Sequence, residues 1–258
     1  MFLTEGLPAA LMGVLAYGLL ANTPAEGHWL DAWRRALIIA ELEAEAQAKK
    51  EVAHHSFGAA LADPRFYALV GMSIGLIAGG AGIFLCLPTI LKQSGVQNVW
   101  EIGLLSSLPF VVAIGAQQLW ARHSDRTAER RWHAAIPALM MAAGWFLVPQ
   151  ISASTALAML MLTMMAAGDL CATGPFWTMP AMYLSGDAAA GGIALSITIG
   201  GLGAFFAPTV AGYLTTQTGS AAAGQYLYAG IVAAGAILML AGTRGSPAEM
   251  RSGAPVAT

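Results

Sequence analysis

The stretch FYALVGMSIGLIAGGAGIFLCLPTIL, residues 66–91, holds no Asp, Glu, Lys or Arg. A helix rises about 1.5 Å per residue, so about 20 apolar residues cross a hydrocarbon core ~30 Å thick. The stretch therefore reads as a transmembrane helix. Comparable apolar runs lie on both sides of it, near 2–21, 102–121, 134–149, 154–184, 190–214 and 222–242. Together they predict an all-α membrane protein with about seven transmembrane helices. The run at 154–184 is long, which implies a tilted span or an end, Phe176 to Ser185, that extends beyond the core. Gly174-Pro175 is read as a break in that helix inside the membrane.

Composition points the same way. The chain is 57% apolar and only 10% charged, where a soluble domain carries roughly 25% charged residues. A net charge of −2 leaves no basic footprint for nucleic acid. Cys86 and Cys171 fall inside apolar runs without metal-type spacing and read as small packing residues. His28, His54, His55, His123 and His133 lie in connections or at their borders, and no nucleophile has a base within a span. A membrane enzyme, a resident metal and a cofactor are therefore not expected. At the start, no Lys or Arg precedes the first apolar run, and Glu5 sits where a signal peptide would be apolar. The chain reads as beginning in the middle of something larger.

The cations set an orientation. With seven spans, the 22–65 connection (Arg34, Arg35, Lys49, Lys50, Arg65), the 122–133 connection (Arg122, Arg126, Arg130, Arg131) and the tail (Arg244, Arg251) share one side. Lys92 alone falls on the other. The positive-inside rule places the eleven in the cytoplasm, with the N-terminus outside, the C-terminus inside and the chain in an inner (plasma) membrane. Within 22–65, Leu30, Trp33, Leu37, Ala40 and Ala44 recur at three- and four-residue steps. Asp31 can cap the start, and Glu45 with Lys49 is a favourable pair. This predicts an amphipathic helix lying on the membrane lipid; the alternative is a solvated linker. The organisation expected is a helix at 1–21, a cytoplasmic loop at 22–65, a six-helix unit at 66–242 and a tail at 243–258.

The six later spans form two groups of three, each opening with a span that carries Phe-x-x-x-Pro, Phe84 to Pro88 and Phe176 to Pro180. Three spans reverse topology, so such an echo would be an inverted repeat, the architecture of many transporters.

The connection Arg122-His123-Ser124-Asp125-Arg126-Thr127-Ala128-Glu129-Arg130-Arg131, flanked by Trp120 and by Trp132-His133, resembles a cytoplasmic loop motif of the major facilitator superfamily. Glu5-Gly6-Leu7-Pro8, Leu87-Pro88-Thr89-Ile90 with Lys92, Gly174-Pro175-Phe176-Trp177 with Pro180, and Leu184-Ser185-Gly186 follow in the order seen in its anion:cation symporter family. That group includes tartrate-, hexuronate- and phthalate-type carriers. The resemblance implies that residues 2–21 are family helix six and that the six later spans are helices seven to twelve. It implies secondary transport of a small organic anion, a sugar acid or carboxylate, symported with a proton, and an N-terminal half in the same or a separate chain as partner. The alternative is a truncated, transport-inactive fragment of such a carrier, because the family's main charged substrate and coupling residues lie in the N-terminal half.

Within the loop motif, Asp125 can cap a helix end or pair with an Arg, and Arg126, Arg130 and Arg131 can anchor the loop at an anionic leaflet. A gating role and a purely orienting one both remain open. Ala121 and Ala128 stand where the motif usually has Gly.

Six residues are candidates for a substrate cavity. Asp169 sits mid-span, where a carboxylate costs ~2.5–3.5 kcal/mol on insertion scales and so should face a cavity or a partner. It is either a proton-titrating cavity residue or a neutral acid in a helix–helix hydrogen bond. Phe176 and Trp177 follow Gly174-Pro175, and the family's matching Trp lines the cavity; packing between helices is the alternative. Gln117 and Gln118 are adjacent amides, of which at most one, taken as Gln117, faces the cavity squarely; interhelical hydrogen bonding is the alternative. Ser196 and Thr198 are the polar groups left near Ile197 and Gly201, where the family often has Asn. The family often has Trp and Tyr where this chain has Cys86 and Ala81.

Overall fold

The helix that contains residues 66–91 starts at a cap. Asp63 accepts the Arg65 N–H at 2.8 Å, and Pro64 takes the first helical position, where no N–H is needed. Similar caps start the later helices. Asn98 accepts from the Trp100 N–H at 3.0 Å, and Ser220 from the Ala222 N–H at 3.3 Å. The computed structural model describes residues 2–21, 23–27, 29–52, 57–151, 154–184 and 186–244. The tail from 245, with Arg251, and Ser185 lie outside the described residues, as do the side chains of Glu5, Glu45 and Lys49 with the pair predicted for the last two.

Ten α-helices are described: α1 Phe2–Leu19, α2 Ala32–Val52, α3 Phe57–Ala62, α4 Pro64–Gln93, α5 Val99–Thr127, α6 Arg131–Ile151, α7 Thr155–Thr178, α8 Pro180–Tyr183, α9 Gly186–Thr218 and α10 Ala221–Gly242. Six of them, α4, α5, α6, α7 (with α8), α9 and α10, are long and apolar enough to cross a membrane. In α1 the described apolar portion, Gly6–Leu19, is shorter than these. The helices outrun the apolar windows because charges at a span's ends sit in the headgroup region, where the backbone continues as helix.

The chain divides into two units, 1–51 and 52–258. In the first, a short turn of 3-10 helix, Pro24–Glu26, leads to α2. The Arg35 guanidinium donates to the carbonyls of Gly27 at 3.0 Å and Leu30 at 3.2 Å, which fixes the start of α2. The predicted amphipathic helix corresponds to α2. Trp33 and Leu37 on its apolar stripe are exposed within the unit.

In the second unit α4 and α7 pack together at the centre. α10 packs on α4 as α6 packs on α7, and α9 packs on α4 as α5 packs on α7. The partners exchange between the two three-helix groups. Small residues set the approach of these helices, as in membrane interiors where packing replaces hydrophobic drive. A Cβ on Gly168 would stand 2.5 Å from the Pro137 carbonyl oxygen, and one on Gly235 would stand 2.6 Å from that of Gly71. The core between them is filled by Trp145, Phe66, Phe176, Tyr228 and the methionines Met72, Met141 and Met165.

One expectation is corrected. Gly174-Pro175 does not break α7, which runs through Pro175 to Thr178. The break comes at Met179, whose N–H bonds the Phe176 carbonyl at 3.0 Å in a tightened last turn ahead of Pro180. A proline ring clashes with the carbonyl four residues back, and Pro180 follows directly on this tightened turn. The run 154–184 is thus two helices rather than one long one.

Candidate functional site

α5 and α9 stand out by exposure. Their spans are 17% buried, against 44–56% for the other four. Each packs on the central pair along one side, so the face formed by α5, α7, α4 and α9 is left uncovered within this unit.

Asp169 lies at the α7–α4 contact. A Cβ on Gly80 would stand 2.9 Å from Asp169 Oδ2, so the carboxylate lies in the space that a side chain at that position would take. Asp169 is half-buried, and among the described residues its carboxylate makes no hydrogen bond or ion pair. Thr173 and Trp177 follow at four-residue steps on the same face of α7, both half-buried. Thr173 Oγ1 donates to the Asp169 carbonyl at 2.7 Å.

On α5, Ala113 packs against Ala166 and Ala167, with Ala116 and Leu170 beside them. This register puts half-buried Gln117 at the height of Asp169, while Gln118 is exposed. Phe110, two turns before Gln117, stacks on Phe84 of α4 with centroids 4.9 Å apart and planes 11° apart. The remaining candidates separate. Phe176 is wholly buried in the core, edge-on to Trp177 at 4.8 Å, and so supports that indole rather than facing open space. Ser196 is buried at the α4–α9 contact, where its carbonyl accepts the Ser73 hydroxyl at 2.9 Å. Thr198 is exposed, its hydroxyl returned to the Ala194 carbonyl at 2.8 Å. Sequence reasoning did not bring Gly80 or Phe110 to the site, and it read Phe84 only as part of the Phe-x-x-x-Pro echo. The Gly79-Gly80 pair was the available signal.

The loop motif forms a compact polar knot. Asp125 pairs with Arg130 at 2.7 Å. Arg130 also donates to Ser124 Oγ at 2.8 Å, and that hydroxyl donates to the Glu129 carbonyl at 2.7 Å. Arg131 donates to the Leu240 carbonyl and so ties the start of α6 to the end of α10. Arg126 is exposed. Ala128 adopts φ 52°, ψ 19° as the C-cap of α5. The glycine usual at this place would therefore serve the backbone conformation. A left-handed residue with a Cβ costs about 1 kcal/mol relative to Gly. Ala128→Gly is expected to raise unfolding stability by about that amount, read as a higher melting temperature in detergent.

Glu129 was not singled out from sequence, yet it caps α6. Its carboxylate accepts the Trp132 N–H at 2.7 Å, the His133 N–H at 3.1 Å and the His133 ring Nδ1–H at 2.7 Å. The other ring nitrogen, Nε2, faces His123 Nδ1 at 2.7 Å, and Trp120 Nε1 donates to the His133 carbonyl at 2.8 Å. Burial pushes the Glu129 carboxyl up, but the hydrogen bonds from the Trp132 amide and from the His133 ring and amide outweigh it. The net effect holds the carboxyl below its ordinary value of 4.5. Because the folded value lies below the unfolded one, the stabilisation is complete above 4.5 and is lost as pH falls through the folded value. Glu129→Gln is expected to unfold more easily than the wild type at neutral pH. Thermal unfolding followed down through pH 4.5 should show that difference shrink.

No group of three or more His, Cys, Asp or Glu among the described residues could hold a metal ion. Both cysteines are free, Cys171 buried and Cys86 half-buried.

The family model of the Major Facilitator Superfamily matches residues 1–208. Two proteins of Agrobacterium vitis named as tartrate transporters are similar to the chain. One is 39% identical over 96% of this chain and 54% of its own length; the other is 38% identical over 99% and 58%. A metabolite transport protein of Pseudomonas putida, NicT, is 27% identical over 93% of the chain and 55% of its own length. The chain spans about half the length of the curated relatives it matches. With six helices long and apolar enough to cross a membrane and a family match over most of its length, the chain belongs to the Major Facilitator Superfamily.

Proposed function

We propose that the chain is the C-terminal part of a secondary carrier for a small organic anion, moved with a proton by alternating access. The observation that carries this reading is Asp169: a half-buried, unpartnered carboxylate beside Gly80, at the height of Gln117, on the uncovered face of α5, α7, α4 and α9. A carboxylate in the hydrocarbon region without a partner marks an ion or substrate path. On this reading Asp169 carries the coupled proton and, when protonated, donates to a substrate oxygen. Trp177, seated on Phe176, offers an indole N–H and an apolar wall, and Gln117 an amide. Ser196 holds α9 on α4, and Thr198 is presented to the partner half.

The face is covered, on the same reading, by an N-terminal half supplied by the same or a separate chain. α1 is family helix six, 22–65 is the central cytoplasmic loop with α2 on the membrane surface, and 243–258 is the cytoplasmic tail. The eleven cations then face the cytoplasm and the N-terminus lies outside. Asp125, Arg126, Arg130 and Arg131 hold the α5–α6 connection in one of its two gating states.

A second reading, that the chain alone does not transport, is favoured by the exposure of α5 and α9. The test separates them. The chain is expressed alone and together with the N-terminal part of an A. vitis relative, and uptake of radiolabelled tartrate is followed with and without a proton gradient. Gradient-driven uptake by the pair, absent from the chain alone, supports the carrier. No uptake of tartrate or other carboxylates by a folded, inserted pair would sink it.

A further inference from the structure

A pocket of about 290 Å³ opens between α4, α9 and α10, near the end of the unit that holds the α9–α10 connection. It shares none of the residues placed in the carrier site. Its rim is exposed Leu85 and Thr89 of α4 and Gly212 of α9, and its floor is Gln225 and Tyr228 of α10. The two floor residues are 5% and 1% exposed, and among the described residues neither the Gln225 amide nor the Tyr228 hydroxyl has a hydrogen-bond partner. Neither polar end is sealed off, so both are free to meet whatever fills the pocket. The Tyr228 ring is fixed by stacking on Trp145 at 4.7 Å, which holds its hydroxyl in place. None of the described lining residues is charged, and the walls are mostly apolar.

Volume, walls and floor together select a ligand. The size is at the small end for organic ligand pockets, which pair apolar walls with a few placed polar groups. With no cation to meet it, a carboxylate would lose its hydration uncompensated. Gln225 is the fifth residue of α10, about 6 Å along the axis from its start, so the floor lies just inside the hydrocarbon region. We propose that this pocket binds an uncharged amphiphile, an apolar body carrying one hydroxyl or carbonyl oxygen that meets the Gln225 amide and the Tyr228 hydroxyl. The ligand enters between α4 and α9. The inference stands independently of the carrier reading, whose substrate is an anion.

The test uses the full chain in phosphatidylcholine nanodiscs. Cys171→Ala leaves Cys86, a lining residue, as the single thiol. Its modification by N-ethylmaleimide is timed with 1-octanol and with octanoate, which are alike in length and differ in charge. A reporter with both native thiols removed and Ser107→Cys on exposed α5 controls for effects of the alcohol on the bilayer. Octanol is expected to slow Cys86 modification strongly and octanoate not to, with the Ser107 reporter unaffected. Losing one neutral hydrogen bond weakens binding about fivefold, so Tyr228→Phe, which keeps the ring stack, should shift the octanol dependence to higher concentration by that factor. Gln225→Leu should do the same. An unreactive Cys86, equal protection by both probes, equal slowing of the Ser107 reporter, or an unchanged octanol dependence in both floor variants overturns the proposal.

Discussion

Gly168→Ala is expected to pry α6 from α7 and to cut the yield of folded protein sharply on extraction into detergent. The added Cβ would lie 2.5 Å from the Pro137 carbonyl oxygen and 2.8 Å from the Met141 nitrogen. Both are backbone atoms, so no rotamer change relieves the contact and one helix must move. Overpacking typically costs 1–3 kcal/mol, and a shift of α6 against the central α7 puts this case at roughly the upper end. The comparison is Gly115→Ala on α5, where nothing lies within 4 Å of the added carbon. There the same change removes only backbone entropy, so stability should stay level or rise by up to about 1 kcal/mol. Melting curves of the two variants beside the wild type decide it. Equal melting temperatures for Gly168→Ala and wild type would refute the close packing of α6 on α7.

Asp169→Asn and Asp169→Leu are expected to move stability and transport in opposite directions. The carboxylate has no partner among the described residues and sits in a membrane-spanning helix. Removing such a group recovers part of the ~2.5–3.5 kcal/mol that an Asp costs at mid-span, so both variants should melt higher, Leu more than Asn. If Asp169 carries the proton, gradient-driven uptake by the assembled carrier should fall at least about tenfold in both, a loss of roughly 1.4 kcal/mol in the transport step. A variant that melts lower would mean that the carboxylate is held by a structural partner. Unchanged uptake would remove Asp169 from the transport path while leaving its packing intact.

Much of this architecture was legible in the chain. Uncharged runs longer than a bilayer crossing announce spans whatever their neighbours do, because a backbone in lipid must satisfy its own hydrogen bonds and the helix is the local way to do so. The mid-span acid Asp169 was equally legible, since a charge in such a run is costly on its own account. The loop motif around Asp125 and Arg130 was readable as a pattern, and its order among the other motifs pointed to the family that the comparisons show.

Other features depend on which helices meet. Gly174-Pro175 looked like a break, yet α7 continues to Thr178, with Pro175 itself buried against its neighbours. Gly80 is one of 30 glycines, and only the approach of α7 makes it the neighbour of a carboxylate. Phe176 and Trp177 are adjacent in the chain, but one is sealed in the core and the other half-open, a division set by the rotation of α7 against α4. Glu129 looked like one more loop charge until the start of α6 turned three donors toward it. The pocket over Gln225 and Tyr228 has no sequence signature at all. By itself, then, the sequence determined that the chain spans a membrane, roughly where, and to which family it belongs, because those properties are additive along the chain. The tertiary structure alone decided which polar groups meet, which stay unpartnered and which faces remain open, because those are properties of pairs of helices whose separation is set by the smallest residue at each crossing.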